Sequence, residues 1–203
     1  MHVEAGDFES AVPLLREALR LKEGYLGPDD GDISNGLNSL GFTLMRMGRY
    51  SEAEPLLRQA VEKCERNVGP DHQSSAMVLG SLGELLRRSG KTEEARGILE
   101  RAVRIAERPN ADGVVNTWAA TDAHQSLGNL YADLGLRALA DEHFRRAIAG
   151  SEKIDKRIGL ADCLDDYASF LGRTGRVSEA AEIRDRANRI RISLPAPASS
   201  RYP

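Results

Sequence analysis

Apolar residues along this chain recur three and four positions apart, as at Leu37, Leu40 and Leu44, or Leu57 and Ala60. That is the period of one face of an α-helix, and no stretch alternates apolar and polar residues as a half-buried strand would. The helical segments are punctuated by glycine on a larger period. Gly6, Gly48 and Gly90 stand 48 − 6 = 42 and 90 − 48 = 42 residues apart, and Gly135 and Gly175 come after a further 45 and 40. A period of this length marks stacked supersecondary units that cannot bury their apolar faces alone.

Each unit carries the same small and large residues in the same places. Five residues after each glycine comes an alanine, at Ala11, Ala53, Ala95, Ala140 and Ala180. A large apolar residue stands four further on at Leu15, Leu57, Leu99 and Phe144, and a second alanine three beyond that at Ala18, Ala60, Ala102 and Ala147. Seven and eight residues before the next glycine stand Leu40-Gly41, Leu82-Gly83 and Leu127-Gly128, with Tyr167-Ala168 in the fourth copy. Glycine in a helix interior costs about 1 kcal/mol against alanine. These glycines therefore imply close approach, with a large residue of the following helix packed on bare backbone. The pattern predicts helical hairpins.

The order Leu37, Leu40, Gly41, Leu44, Gly48, Tyr50, Ala53, Leu57, Ala60 resembles the tetratricopeptide repeat. The 42-residue period, with Gly27-Pro28-Asp29 and Gly69-Pro70-Asp71-His72 between copies, is similar to the longer-helix subtype found in kinesin light chains. The resemblance covers roughly residues 6 to 192. It implies an all-α, right-handed solenoid of stacked antiparallel helix hairpins. Two places depart from it: the third linker, 109–121, lacks Gly-Pro-Asp, and Arg184 stands where the large apolar residue belongs. The expected organisation is an N-terminal half-repeat at 1–24, an array of about four helix pairs at 25–192, and a proline-rich disordered tail at 193–203.

The ends differ. The first helix, expected over about 8–23, is a second helix without a first, and its apolar face exceeds what one neighbour covers. Phe8, Val12, Leu15 and Leu19 are therefore a candidate interface for a preceding domain, a partner helix or a second copy of the chain, which makes a homodimer one expectation. The last helix, expected over 177–192, is charged on most faces and reads as a cap.

The resemblance also places function in the concave groove lined by the exposed face of each first helix. That face presents Asn35, Asn38, Ser39, Phe42, Met45 and Arg46 in the first full repeat, and Met77, Ser81, Glu84, Arg87 and Arg88 in the second. The third offers Asp122, Gln125, Ser126, Asn129 and Asp133, and the fourth Asp162, Asp165, Asp166, Ser169 and Arg173. Amides and hydroxyls can hydrogen-bond an extended peptide backbone, and Phe42, Met45 and Met77 can hold an apolar side chain. Charge runs from basic in the first two repeats to acidic in the fourth. Solvation of ordinary helix faces is the competing reading of the same residues. Lysines of the kind that clamp a chaperone's C-terminal carboxylate are absent from this face.

Composition narrows the classes. A net charge of −3 speaks against nucleic acid as a partner. No leader-like segment and no apolar run of membrane-spanning length is seen, so a cytoplasmic protein without membrane contact is expected. Arginine outnumbers lysine, as in high-GC bacterial genomes. The two cysteines, Cys64 and Cys163, are too far apart in sequence to read as a disulfide framework. No catalytic constellation stands out. Asp71 reads as the cap of the next helix with His72 packed or solvated, His124 as a packing histidine, and Trp118 as a plug in the irregular linker or an exposed contact. His2 and His143 lack partners at metal-ligand spacing, and no phosphate loop comes after a strand, so no metal, cofactor or enzymatic activity is expected. Two functions remain: an adaptor that binds a peptide or protein segment in its groove, and a sensor or regulatory segment of a larger assembly.

Overall fold

The computed structural model describes residues 5–27, 30–110, 112–154 and 157–193. These form helices α1 (Ala5–Tyr25), α2 (Gly31–Arg46), α3 (Tyr50–Val68), α4 (Gln73–Arg88), α5 (Thr92–Glu107), α6 (Thr117–Asp133), α7 (Arg137–Lys153), α8 (Arg157–Arg173) and α9 (Val177–Ser193), with no strand among the described residues. The expected tail at 194–203 lies outside them, and Ser193 closes α9 instead of opening that tail.

Helices α2/α3, α4/α5, α6/α7 and α8/α9 pair as hairpins, and each second helix also packs against the next first helix. Gly48, Gly90, Gly135 and Gly175 turn the hairpins with φ of 76, 81, 72 and 86°, a left-handed conformation that carries no Cβ penalty in glycine. Gly6 does not share that role. It lies inside α1, because such a turn needs a helix to turn from and none precedes α1 among the described residues.

The glycine-leucine seam is a close contact, as its spacing predicts. A Cβ on Gly41 would stand 2.7 Å from Leu57 Cγ, on Gly83 2.4 Å from Leu99 Cδ2, and on Gly128 2.9 Å from Phe144 Cδ1. Leu57, Leu99 and Phe144 are wholly buried there, each contributing about 2–3 kcal/mol of apolar transfer. The fourth hairpin has Ala168 in this place and an exposed Arg184 opposite. Its junction is filled by rings: Phe144 lies 5.5 Å from Tyr167 and 5.7 Å from Phe170, centroid to centroid, in the offset range that favours aromatic pairs.

The linkers correct two expectations. His72, not Asp71, caps α4: its Nδ1 accepts the Ser74 N–H at 3.2 Å, while Asp71 pairs with Arg108 at 3.4 Å. In the third linker the Asn110 carboxamide oxygen accepts the Asp112 and Val114 N–H groups at 2.9 Å. Gln73 Nε2 ties the same loop to α4 through the Arg108 and Val114 carbonyls at 2.9 and 3.0 Å. The loop is braced by its own hydrogen bonds, and Trp118, at the start of α6, is 51% exposed.

Candidate functional site

The first helices pack on one another in series, α2 with α4, α4 with α6 and α6 with α8, whereas the backbones of α1, α3, α5, α7 and α9 stand further apart and are linked by long side chains, as in the ion pairs Arg58–Glu94 at 2.8 Å and Arg101–Glu65 at 2.7 Å. The layer of first helices is therefore the tighter, inner one. Its face away from the second helices forms a groove across α2, α4, α6 and α8.

In α2, Gly36 faces Leu19 of α1 and Gly41 faces Leu57 of α3. The flank opposite Gly36 is thus the one that meets α4. Asn35, Ser39, Phe42 and Arg46 lie beyond it, on the exposed side. Phe42 is 39% exposed, and the Arg46 guanidinium sits 6.0 Å from its ring and 5.8 Å from that of Phe8, within the range of cation–π attraction. Asn38 is half-buried, its Oδ1 enclosed with no hydrogen-bond partner among the described residues. Met45 does not line the groove. Two turns after Asn38, it shares the flank toward α4 and is 1% exposed in the core.

On α4, Met77 is 41% exposed and Ser81 is half-buried. Glu84 takes Arg87 at 2.9 Å and Arg88 at 2.6 Å, and Arg87 also reaches Asp133 of α6 at 2.5 Å. Burial alone would raise the Glu84 carboxyl, but its two arginines hold it below its ordinary value. In the acidic half, Asp166 Oδ2 accepts from Gln125 Nε2 and Asn129 Nδ2, each at 2.8 Å. Arg191 of α9 bridges Asp162 at 3.1 Å and also pairs with Asp165. The expected charge gradient is thus largely cross-linked within the molecule. Arg46 on α2, stacked on Phe8 and Phe42, stands outside these ion pairs.

The proposed N-terminal interface needs correction as well. Val12 and Leu19 are buried, Leu15 packs on the core and Phe8 is half-buried, because α1 turns its richest face to α2, the helix it packs on among the described residues. The exposed apolar residues of α1 are Leu14, Leu21 and Tyr25. At the positions equivalent to buried Ala53, Leu57 and Ala60 of α3, α1 carries half-buried Ala11, half-buried Leu15 and exposed Ala18.

One cluster has no counterpart in the residue pattern. His124 is buried as expected, but its Nδ1 lies 2.8 Å from His143 Nδ1 and its Nε2 3.0 Å from Glu107. A carboxylate accepts, so His124 carries its proton on Nε2 and takes a hydrogen bond from His143 Nδ1–H. Burial, then the neighbouring imidazole, pushes His143 down to about 4. Burial also lowers His124, against the pull of Glu107. No signal at sequence level links positions 124 and 143; the hairpin turn brings them together. Among the described residues no group of three or more ligating side chains could hold a metal ion, and no helix is long and apolar enough to cross a membrane.

Tetratricopeptide-repeat profiles match residues 1–32, 32–108 and 121–149. The chain belongs to the tetratricopeptide repeat proteins. No curated protein matches it in sequence. Among solved structures it is similar to BtubC (BKLC) from P. vanneervenii, at 23% identity and TM-score 0.68 over 97% of this chain and 80% of that one. It is also similar to a kinesin light chain with nearly identical TPR-like repeats from Podosopora anserina, at 20% identity and TM-score 0.64 over 92% and 87%. A Rap protein complexed with Competence and Sporulation Factor matches at 17% identity and TM-score 0.63 over 91% and 59%. At these identities the likeness is one of fold alone.

Proposed function

We propose that this tetratricopeptide protein is a non-catalytic adaptor that holds an extended peptide or protein segment in the groove of its first helices. One observation carries the reading. The N-terminal half of the groove, on α2 and α4, leaves Phe42 and Met77 exposed beside the amides of Asn35 and Asn38 and the guanidinium of Arg46. Exposed apolar side chains beside amides suit an extended backbone. The Rap structure, a similar fold complexed with Competence and Sporulation Factor, supports the class of activity.

The test is selection of peptides from a random display library on the wild-type chain, and then calorimetry with Phe42→Asp, Asn38→Ala and Arg88→Glu. Loss of affinity by tenfold or more at unchanged melting temperature is the expected result. Undiminished binding by all three would move the binding surface elsewhere.

A second reading, a regulatory segment that docks or self-associates through its first helix, is favoured by the exposed Leu14, Leu21 and Tyr25 on α1. Light scattering of the wild type against Leu14→Asp tests it. A dimer lost in the variant supports self-association, and a monodisperse monomeric wild type removes it.

A further inference from the structure

Behind the groove, the second helices form an outer layer whose intervals are crossed by charged side chains. Arg16 of α1 reaches Glu52 of α3 at 3.2 Å, and one repeat later Arg58 of α3 reaches Glu94 of α5 at 2.8 Å. Glu107 of α5 meets Arg146 of α7 at 3.3 Å, and Glu152 of α7 meets Arg186 of α9. Between α3 and α5 the pairs close into a network. Glu54 takes Lys91 at 2.7 Å and Arg58 at 2.9 Å, so Arg58 is shared by Glu54 and Glu94. We propose that Glu54, Arg58, Lys91 and Glu94 are positioning residues for the groove, a charged strut on the outer layer that sets how far α2 and α4 open on the inner one.

The lever lies in the packing. Helix α2 meets α4 backbone to backbone, and α3 meets α4 as well, whereas α3 reaches α5 through side chains. The first hairpin therefore turns on the second about its inner contact, and a wider outer interval tips the groove faces of α2 and α4 toward each other. Phe42 and Met77, the exposed apolar residues of those faces, are the pair whose spacing changes. One exposed ion pair holds little, but charges that share partners act together. Recurrence points the same way, since Arg16 and Arg58, and likewise Glu52 and Glu94, stand one 42-residue repeat apart. Salt separates the layers. The outer charges are exposed, and the reach of such charges falls from about 10 Å at 0.1 M to about 3 Å at 1 M ionic strength. The inner layer is tied by the partly buried Arg87–Glu84 pair and by neutral amides on Asp166, which salt weakens less. High salt thus loosens the outer layer first and narrows the groove.

The proposal rests on the groove being a binding surface, yet its first test needs no ligand. Spin labels are attached through Ser39→Cys on α2 and Ser169→Cys on α8, both exposed, in the full chain carrying Cys64→Ala and Cys163→Ala, and their separation is read by double electron–electron resonance. Raising sodium chloride from about 0.05 M to about 1 M is expected to shorten it by a few ångströms. Arg58→Glu, which sets like charges against Glu54 and Glu94, should shorten it already at low salt, and Arg58→Glu combined with Glu94→Arg should restore it. Arg20→Gln, which breaks an ion pair within α1 alone, should leave it unchanged. Small-angle scattering of the unlabelled chain gives the same comparison should the labelled one melt early. A separation indifferent to salt and to Arg58→Glu would overturn the proposal. So would a double variant that stays short, because packing of the Arg58 stem and not its charge would then hold the interval. Arg58→Glu should also change the affinity of a display-selected peptide several-fold from the face opposite the groove, and equal affinities would overturn the strut's bearing on binding. Should no peptide bind either protein, the adaptor reading fails on its own while the label separations still judge the strut.

Discussion

The first two full hairpins and the last two share a backbone plan and differ in what fills it. In α2 to α5 a leucine of the second helix sits on a bare glycine of the first, and the groove face is partly apolar. In α6 to α9 the filling is aromatic, and polar links tie the groove face together, Asp166 to Gln125 and Asn129 and Arg191 to Asp162 and Asp165, while His124 pairs with His143 away from the groove. The repeat thus fixes where a small and a large residue must meet, while leaving the chemistry of the exposed faces free to differ between the two halves.

The largest effect that could break this contrast is Phe144→Ala. It removes a ring that touches Gly128, Tyr167 and Phe170 and so joins the third hairpin to the fourth. A loss of about 4 kcal/mol is expected in urea denaturation, against about 3 for Leu57→Ala in the leucine-filled half. Equal and small losses would mean that the aromatic junction collapses to fill its own cavity. Next comes Gly83→Leu. With Leu99 Cδ2 2.4 Å from the new Cβ, overpacking should cost roughly 1–3 kcal/mol. Gly80, on the same helix with nothing within 4 Å of its Cβ position, is the control, and Gly80→Ala should stabilise by about 0.5–1 kcal/mol.

Acid distinguishes the halves by a smaller margin. The unfolded chain protonates His143 as pH falls through about 6.5, whereas burial beside His124 holds the folded chain's His143 neutral down to about 4. The neutral ring's contribution is therefore full above about pH 6.5 and lost as pH falls from there toward 4. After allowance for screening at this half-buried ring, the wild type should lose about 1–2 kcal/mol more than His143→Gln between pH 7 and pH 4.5. Denaturant titrations of both proteins across that range check it. Parallel pH profiles would show that the pair carries no linked proton.

The contrast also marks how far residue pattern alone reaches. The close-approach glycines and their partners were readable, because only a bare backbone explains glycine at a fixed helical position opposite a fixed large residue. The exposed face was readable as a face, since helical periodicity assigns it. Met45 escaped because residues on the flank of a helix are allotted by the neighbouring helix, here α4, which periodicity within α2 does not locate. Val12 and Leu19 escaped for the related reason that α1 spends its best face on α2, the helix it packs on among the described residues. The pairing of His124 with His143, and of Arg191 with Asp162, depends on side-chain reach between helices, and neither leaves a trace in spacing.

The smallest expected difference lies in the linkers. A Gly-Pro-Asp-His turn precedes α4 in the regular half and an Asn110-braced loop precedes α6 in the other, yet both deliver a capping side chain to the next helix. His72 Nδ1 takes the Ser74 N–H, and Asn116 Oδ1 takes the Ala119 N–H at 3.1 Å. An asparagine cap lost to alanine costs about 1 kcal/mol, so Asn116→Ala should lower stability by about that much. Histidine is a weaker acceptor at 3.2 Å, so His72→Ala should cost about 0.5 kcal/mol. Asp71→Ala removes only an exposed pair with Arg108 and should fall within about 0.3 kcal/mol of wild type. Melting temperatures of the three single variants order them. An Asp71 variant that melts lower than the His72 variant would return the cap to the aspartate and show that the turn reads, in solution, as its sequence does.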